Sequence, residues 1–400
     1  MFQPMLINSD DLLNPSGQNF TCDDFCYQDV ESELQAILES ELARFTPPAP
    51  EPIADGGVNS KWAFSSAMQK CIRRGASDDA VRFATAYFSI DPVGIWVRLP
   101  LVAFEDVGLG GVDAIAFTLI AAKSKLWRKK VGELKVLQFI VQMLAQSIKD
   151  RSCCDYMIYH WNNPRKFREL NTLRAATLPE LSQFVLSEKN TSAFRSCALW
   201  CLVGTDRFEC KTLPPRSGSR ELFNSTVAAM DVPSLIKFSV TRGVISCRYP
   251  MPVMLPILWQ MKEKALYMSV ENTALPAERH FIGGLRDFAF DQYVREGRSS
   301  LAYFGKACSP VSEFLASRGI TSADAKIKAI GAAVFIVEGA LLDRKLVFEG
   351  SGEIYEAAEV ADYKNAGLSL EDGRTLAALI QDNHETLRLS RQRVVTGTKH

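Results

Sequence analysis

"WVRLPLVAFEDVGLGG", residues 96–111, sets the reading of the whole chain. An apolar run through Leu99, Leu101, Val102 and Phe104 ends on two adjacent carboxylates, Glu105 and Asp106, and then on Gly108. That order reads as an apolar helix stopped by a glycine. Carboxylates at a helix C-terminus are disfavoured by the macrodipole, by about 0.3–1 kcal/mol each, so some other interaction must keep them there. The options are N–H groups of the next helix start, an ion pair with Arg98 or Arg82, or a subunit interface. A catalytic carboxylate pair is the weakest option, because no histidine or metal-ligand set accompanies it.

Upstream the pattern is helical. KWAFSSAMQKCIRRG, 61–75, closes with Arg73 and Arg74 in its last turn and Gly75 just beyond, a standard helix C-terminus. Ser77 is placed to cap the next helix, with Asp78 and Asp79 in its first turn. Ala80, Phe83, Ala84, Tyr87 and Phe88 follow at one-face spacing. Asp91-Pro92 opens a third helix that Gly108 ends.

Downstream, helices are expected at 112–126, 134–149, 178–186, 191–203, 221–230 and 255–267, and then at 292–304, 323–344 and 370–391. The stretch 234–247 fits either a short hairpin or a helix stopping at Gly243. No βαβ rhythm and no repeat of fixed period appears, so the fold class is mainly α. VESELQAILESELARF, 30–45, forms a short acidic amphipathic helix, and TPPAPEPIADGGVNS, 46–60, a Pro/Gly linker. TLPPRSGSR, 212–220, marks a boundary. The expected organisation is an acidic arm at 1–45, the linker at 46–60, a helical domain at 61–213 and a second helical subdomain at 217–400.

With 47% hydrophobic residues the chain can bury a full core. No apolar run reaches the roughly 18 residues of a membrane span, and MFQPMLINSDDLL lacks the basic and apolar regions of a signal peptide. A cytoplasmic protein with reduced thiols is the expectation. Ten cysteines in so large an apolar chain do not make a disulfide scaffold. The C-x3-C pairs Cys22/Cys26 and Cys197/Cys201 could be imagined as zinc pairs. The second lies on an apolar helix face, where buried thiols are the better reading, and the four histidines are scattered. No metal or cofactor is therefore expected. The zero net charge hides a split. Residues 1–57 hold eleven acidic residues and one basic, Arg44, leaving 45 basic and 35 acidic residues in the remainder. An acidic arm on a basic body suits nucleic-acid interaction or its self-regulation, or simply a solubilising tail.

"MQKCIRRGASDDAVRFATAYFSIDPVGIWVRLPLVAFEDVGLGG", 68–111, resembles the C-terminal helical region of the MgsA/RarA/Werner-helicase-interacting family of clamp-loader-like AAA+ ATPases. Ile72–Ala80 and Arg82–Tyr87 match that family's first helix pair, and Glu105, Asp106, Val107, Gly108 and Leu109 match its E-D-x-G-L helix end. The match runs from 61 to about 145, with a weaker echo at 283–304. The resemblance implies an all-helical, clamp-loader C-terminal-like bundle, a possible homo-oligomer and a role in DNA metabolism. It does not imply ATP hydrolysis, since no G-x-x-x-x-G-K-[ST] loop occurs. Detached versions of this region resemble phage-encoded factors that bind single-stranded DNA and recruit a phage RNA polymerase.

Single strands are held by cations along the backbone and flat side chains under the bases. KSKLWRKK, 123–130, supplies Lys123, Lys125, Trp127, Arg128, Lys129 and Lys130; if one helix continues through it, Lys123, Trp127 and Lys130 share a side. MIYHWNNPRKFREL, 157–170, supplies Tyr159, Trp161, Arg165, Lys166 and Arg168 around an Asn-Asn-Pro break. The competing reading makes the tryptophans partly buried anchors and the lysines solvated helix-end charges. In ERHFIGGLRDFAFDQYVREGRSS, 278–300, Asp287, Asp291 and Glu296 favour internal ion pairs over DNA contact. Cys153-Cys154 beside Arg151 is a weak thiol candidate. No hydrolase, zinc-protease, deaminase or EF-hand motif is present. The expectation is a non-enzymatic protein whose partners are single-stranded DNA and a polymerase or replication protein. The alternative is an oligomeric protein-interaction scaffold.

Overall fold

The computed structural model describes residues 27–49, 60–162, 167–273, 275 and 281–397. Among these the chain is mainly helical, with two antiparallel strand pairs: Met268–Glu271 with Lys345–Phe348, and Phe281–Ile282 with Leu285–Arg286. Among the described residues no helix is long and apolar enough to cross a membrane.

The opening stretch folds in three steps. Helix Gly94–Val102 runs into a π turn, Ala103–Val107, and then a short 3-10 turn, Gly108–Gly110. Asp91 starts this unit as expected, its Oδ1 accepting the Gly94 N–H at 2.7 Å. The preceding helix, Lys61–Arg73, ends with Gly75 at φ 67°, and the next spans Ser77–Ile90. Ser77 begins that helix rather than capping it; its N-cap is Ala76.

Further sequence expectations change: the helix expected at 323–344 ends at Val334 before a π turn, the one expected at 370–391 is interrupted at Asn383, and two basic or ambiguous stretches fold differently. The helix 112–126 does not continue through the basic run. It stops at Lys123, and Ser124, accepting the Trp127 N–H at 3.2 Å, restarts the chain as Lys125–Val131. The ambiguous stretch is a helix, Ser234–Ser246, which runs through Gly243, where a Cβ would collide with the Phe104 ring at 2.5 Å.

Two apolar clusters carry the fold. The larger joins Leu34, Phe64, Phe83, Phe104, Phe139, Trp200, Phe223, Phe238, Leu258 and Phe290. The smaller gathers Leu301, Phe304, Val311, Ile330, Tyr363, Leu376, Ile380 and Leu387. The division expected after residue 213 therefore falls inside the first core. There Arg216 donates to the carbonyls of Leu173 and Ala176, both at 3.0 Å, and exchanges bonds with Thr205. The second cluster begins near 301.

The acidic helix, Tyr27–Arg44, is part of the first core. Leu34, Leu38, Leu42 and Phe45 are all buried, and Phe45 meets Phe139 edge-on at 5.3 Å. Burying four such side chains stabilises by roughly 1.5–3 kcal/mol each. That anchors the helix to its own body instead of leaving it tethered. Most of the 46–60 linker and all of residues 1–26, with Cys22 and Cys26, lie outside the described residues.

A candidate nucleic-acid cleft at the Glu105–Asp106 turn

The π turn places Asp106 in the interior, wholly buried. Its carboxylate accepts from Gln69 Nε2 at 2.7 Å, Arg73 Nε at 2.6 Å and Arg151 Nη1 at 2.8 Å. Glu105 takes Arg73 Nη2 at 2.7 Å and Arg151 Nη1 at 3.4 Å. Burial alone would raise the Glu105 carboxyl, but Arg73, Arg151 and Arg98 outweigh it and hold it at about 2. Ion pairing thus answers the dipole penalty, with Arg73 and Arg151 as partners; Arg98 bonds Gln69 Oε1 instead. Gly108 is required by the geometry. Its φ is 47°, and a Cβ would stand 2.5 Å from Asp150 Oδ2 and 2.7 Å from Asp150 O.

A second π turn, Phe335–Gly339, closes on the same arginines. Arg73 Nη1 donates to Gly339 O at 2.6 Å, and Arg74 Nη2 to Glu338 O at 2.6 Å. The Glu338 carboxylate is gripped by Arg391 at 2.7 and 3.0 Å and by His384 Nε2 at 2.7 Å. The C-terminal helix is therefore tied to the motif through one ion network.

Above the network lies a cleft of about 420 Å³. Lys70, Arg73, Arg98 and Arg151 line it, with Glu105, Asp291 and Asp362 as the opposing charges. At its edge stand three exposed rings: Trp62 (63% exposed), Tyr249 (47%) and Tyr293 (72%). The cleft is within the range of small-ligand sites. Burial raises the lining Asp362 to about 6 and, against the pull of Arg151, raises Asp155 to about 7.

The sequence-picked basic stretches lie elsewhere. Lys123 pairs with Glu31 of the acidic helix, and Trp127 Nε1 donates to Glu39 Oε1 at 2.6 Å. Arg128 is buried, its guanidinium 4.2 Å from the Trp96 ring and bonded to Ala121 O and Glu133, so it is not a surface cation. Lys125, Lys129 and Lys130 remain exposed. Tyr159 and Trp161 are half-buried on helix Ser152–Asn162: Tyr159 stacks on Tyr156 at 5.9 Å, and Trp161 meets Trp200 edge-on at 6.4 Å. Arg168 is exposed, and Arg165 and Lys166 fall outside the described residues. The 278–300 stretch pairs internally: Arg286 with Asp79 at 2.6 Å, Asp291 with Lys70 at 2.5 Å. Arg279 is outside the described residues.

Cys197 and Cys201 are buried, and burial drives the thiols of Cys153 and Cys154 well above their ordinary range. Among the described residues no group of three or more His, Cys, Asp or Glu is placed to hold a metal ion. Comparison of the chain with family models, curated proteins and solved structures returns no match.

Sequence reasoning missed the cleft. Trp62, Tyr249 and Tyr293 come from three distant segments; of these only Tyr293 falls in a basic and aromatic run, 278–300, whose acidic residues assigned it to internal ion pairs. The available signal was the polar set Ser65, Ser66, Gln69, Lys70 and Arg73, which recurs at helical spacing on one helix and lines the cleft.

Proposed function

We propose that this protein is a non-enzymatic DNA-metabolism factor that binds single-stranded DNA and presents it to a polymerase or replication protein. The observation that carries the reading is the cleft, where exposed tryptophan and tyrosine rings surround a floor of arginine and lysine. Flat rings stack bases without regard to sequence, and cations track the backbone. The 68–111 resemblance to the clamp-loader-like helical region supports DNA as the polymer. The exposed Lys125, Lys129 and Lys130 offer a separate electrostatic contact, and neither they nor the ion-paired Lys123–Trp127 face is required for binding in the cleft.

The test is fluorescence anisotropy with a labelled dT20 and the matching duplex across a salt series. Binding of dT20 whose affinity falls by roughly 0.7 log units per phosphate contact per decade of salt supports the reading. No dT20 binding at low salt rejects it.

A second reading, an oligomeric scaffold without nucleic acid, draws on the strand Met268–Glu271. Leu266, Tyr267 and Met268 are 89%, 57% and 58% exposed there, an apolar edge able to add a strand from a second copy. Light scattering of wild type and Met268→Lys separates this reading from the first. Dimers lost in the variant, with no dT20 binding in either protein, would establish it.

A further inference from the structure

We propose that Arg98 is the phosphate receptor of the cleft. The cleft then takes one nucleotide unit of a single strand, with its phosphodiester on the Arg98 guanidinium and its base among the rim rings. This rests on the single-strand reading above and names the contact that makes it.

The four cations of the cleft are not equivalent. The Lys70 ammonium has three N–H donors, and three acceptors use them: Asp291 Oδ2 at 2.5 Å, Phe288 O at 2.6 Å and Ser66 Oγ at 3.0 Å. Arg73 spends Nε, Nη1 and Nη2 on Asp106, Gly339 O and Glu105. Arg151 faces Asp106, Glu105 and Asp155. Each of these three is matched by a carboxylate at ion-pair distance.

Arg98 is different. Its Nη2 donates to a neutral amide oxygen, Gln69 Oε1. Its Nε is buried with no partner among the described residues. A guanidinium offers five N–H donors in a fixed fork, and a buried donor left unmatched is costly. An anionic oxygen entering the cleft completes the fork, and the two-pronged geometry suits phosphate.

Size and rim narrow the ligand. A cavity of about 420 Å³ exceeds a bare phosphate, and the adjoining Trp62, Tyr249 and Tyr293 call for a planar ring next to the anionic group. A nucleotide joins the two. Among the four cations lining the cleft, Arg98 alone has no carboxylate at ion-pair distance among the described residues, although its charge helps hold Glu105 down, and one such site matches the single charge of a phosphodiester. A free mononucleotide carries close to two charges on its phosphate and would lack a second open cation.

The experiment uses the full chain and measures anisotropy of labelled dT12 at low salt. The proteins are wild type, Arg98→Ala and Arg98→Lys; the competitors are dTMP and a dT12 with neutral methylphosphonate linkages. Arg98→Ala is expected to weaken dT12 binding by roughly tenfold to a hundredfold, with Arg98→Lys between it and wild type. The methylphosphonate strand should bind wild type more weakly, and its loss should not add fully to that of Arg98→Ala. dTMP should compete poorly. If wild type binds dT12 and Arg98→Ala binds it equally, or if the losses from the variant and the neutral strand simply add, Arg98 is not the receptor while the single-strand reading stands. If dTMP competes at micromolar concentration, the phosphodiester assignment is overturned. If wild type binds no dT12, both readings fall together. The methylphosphonate arm on wild type needs no folded variant.

Discussion

Arg73 and Asp106 meet at 2.6 Å in the interior, one at the end of helix Lys61–Arg73 and the other in the π turn Ala103–Val107. Both are almost wholly buried, at 3% and 0% exposure. A buried pair of this kind is weak evidence for net stability, but breaking it leaves an uncompensated charge. Asp106→Ala removes the fully buried carboxylate that Arg73 and Arg151 share and leaves Glu105 alone to balance both, and the expected cost is about 3–5 kcal/mol. Urea unfolding monitored by circular dichroism checks this. A loss under about 1 kcal/mol would mean the arginines find other partners.

Gly108 supports the same turn through its backbone. Gly108→Ala must adopt a positive φ and place a Cβ against Asp150 Oδ2 and O, so a loss of about 2 kcal/mol or more is expected. Gly352 is the control. It lies in helix Ser351–Asn365, where an added Cβ would meet nothing within 4 Å, and Gly352→Ala should be neutral or stabilising by roughly 0.4–1 kcal/mol. Equal effects of the two substitutions in thermal melts would sink the argument.

How far the sequence foretold this site follows from the range of the interactions. Periodic apolar residues are a local signal, and the helices at 77–90, 178–186 and 192–203 stand close to where spacing places them. Thr177 and Glu180 even form a capping box. Ser124 breaks the basic run because a side chain that caps its own restart outcompetes continuation, and that choice turns on one hydroxyl. Arg73 and Arg74 look like helix-end charges until Gly339 and Glu338, more than 260 residues away, fold over them. Partners so distant leave no spacing rule to read.

The acidic helix poses a question of magnitude. Glu31 and Glu39 occupy Lys123 and Trp127, two groups that the sequence alone offers as single-strand contacts. Exposed ion pairs contribute about 1 kcal/mol or less, whereas Leu34, Leu38, Leu42 and Phe45 together contribute several times more. The apolar face therefore decides, and the helix stays docked. Leu38→Ala should cost about 2–5 kcal/mol, and truncation at residue 45 should unfold the protein rather than raise its DNA affinity. A folded truncation that binds single strands more tightly in the anisotropy assay would reverse this conclusion.

Asp155 makes stability depend on pH in an unusual direction. Its native pKa is held at about 7 by burial, whereas an unfolded aspartate titrates near 3.9. Between about pH 4 and 7 the unfolded chain therefore binds fewer protons than the native one, and this residue's contribution falls as pH rises. Asp362, raised to about 6, acts in the same sense. Asp155→Asn removes the cost of charging a buried carboxyl. It should raise Tm at about pH 8, where the wild-type group is ionised, and change it little at about pH 5. A gain at the lower pH equal to that at the higher would show that packing, not charge, is responsible.

The rings at the cleft edge and the rings of the basic stretches make opposite predictions for binding. Trp62 and Tyr293 are open to solvent and available to stack, so alanine at either should weaken dT20 binding by about 1–3 kcal/mol. Trp127 is engaged by Glu39 and Trp161 by Trp200, so Trp127→Ala should leave the affinity within about twofold, since no base contact is lost. Trp127 and Trp161 both pack against the larger apolar cluster, so circular dichroism must show those variants folded; Trp62→Ala removes little from the core. Anisotropy titrations of the variants at one salt concentration decide the matter. Loss of binding in Trp127→Ala with none in Trp62→Ala or Tyr293→Ala would move the interface to the Lys125–Val131 helix, and the cleft would then have to be explained by some other ligand.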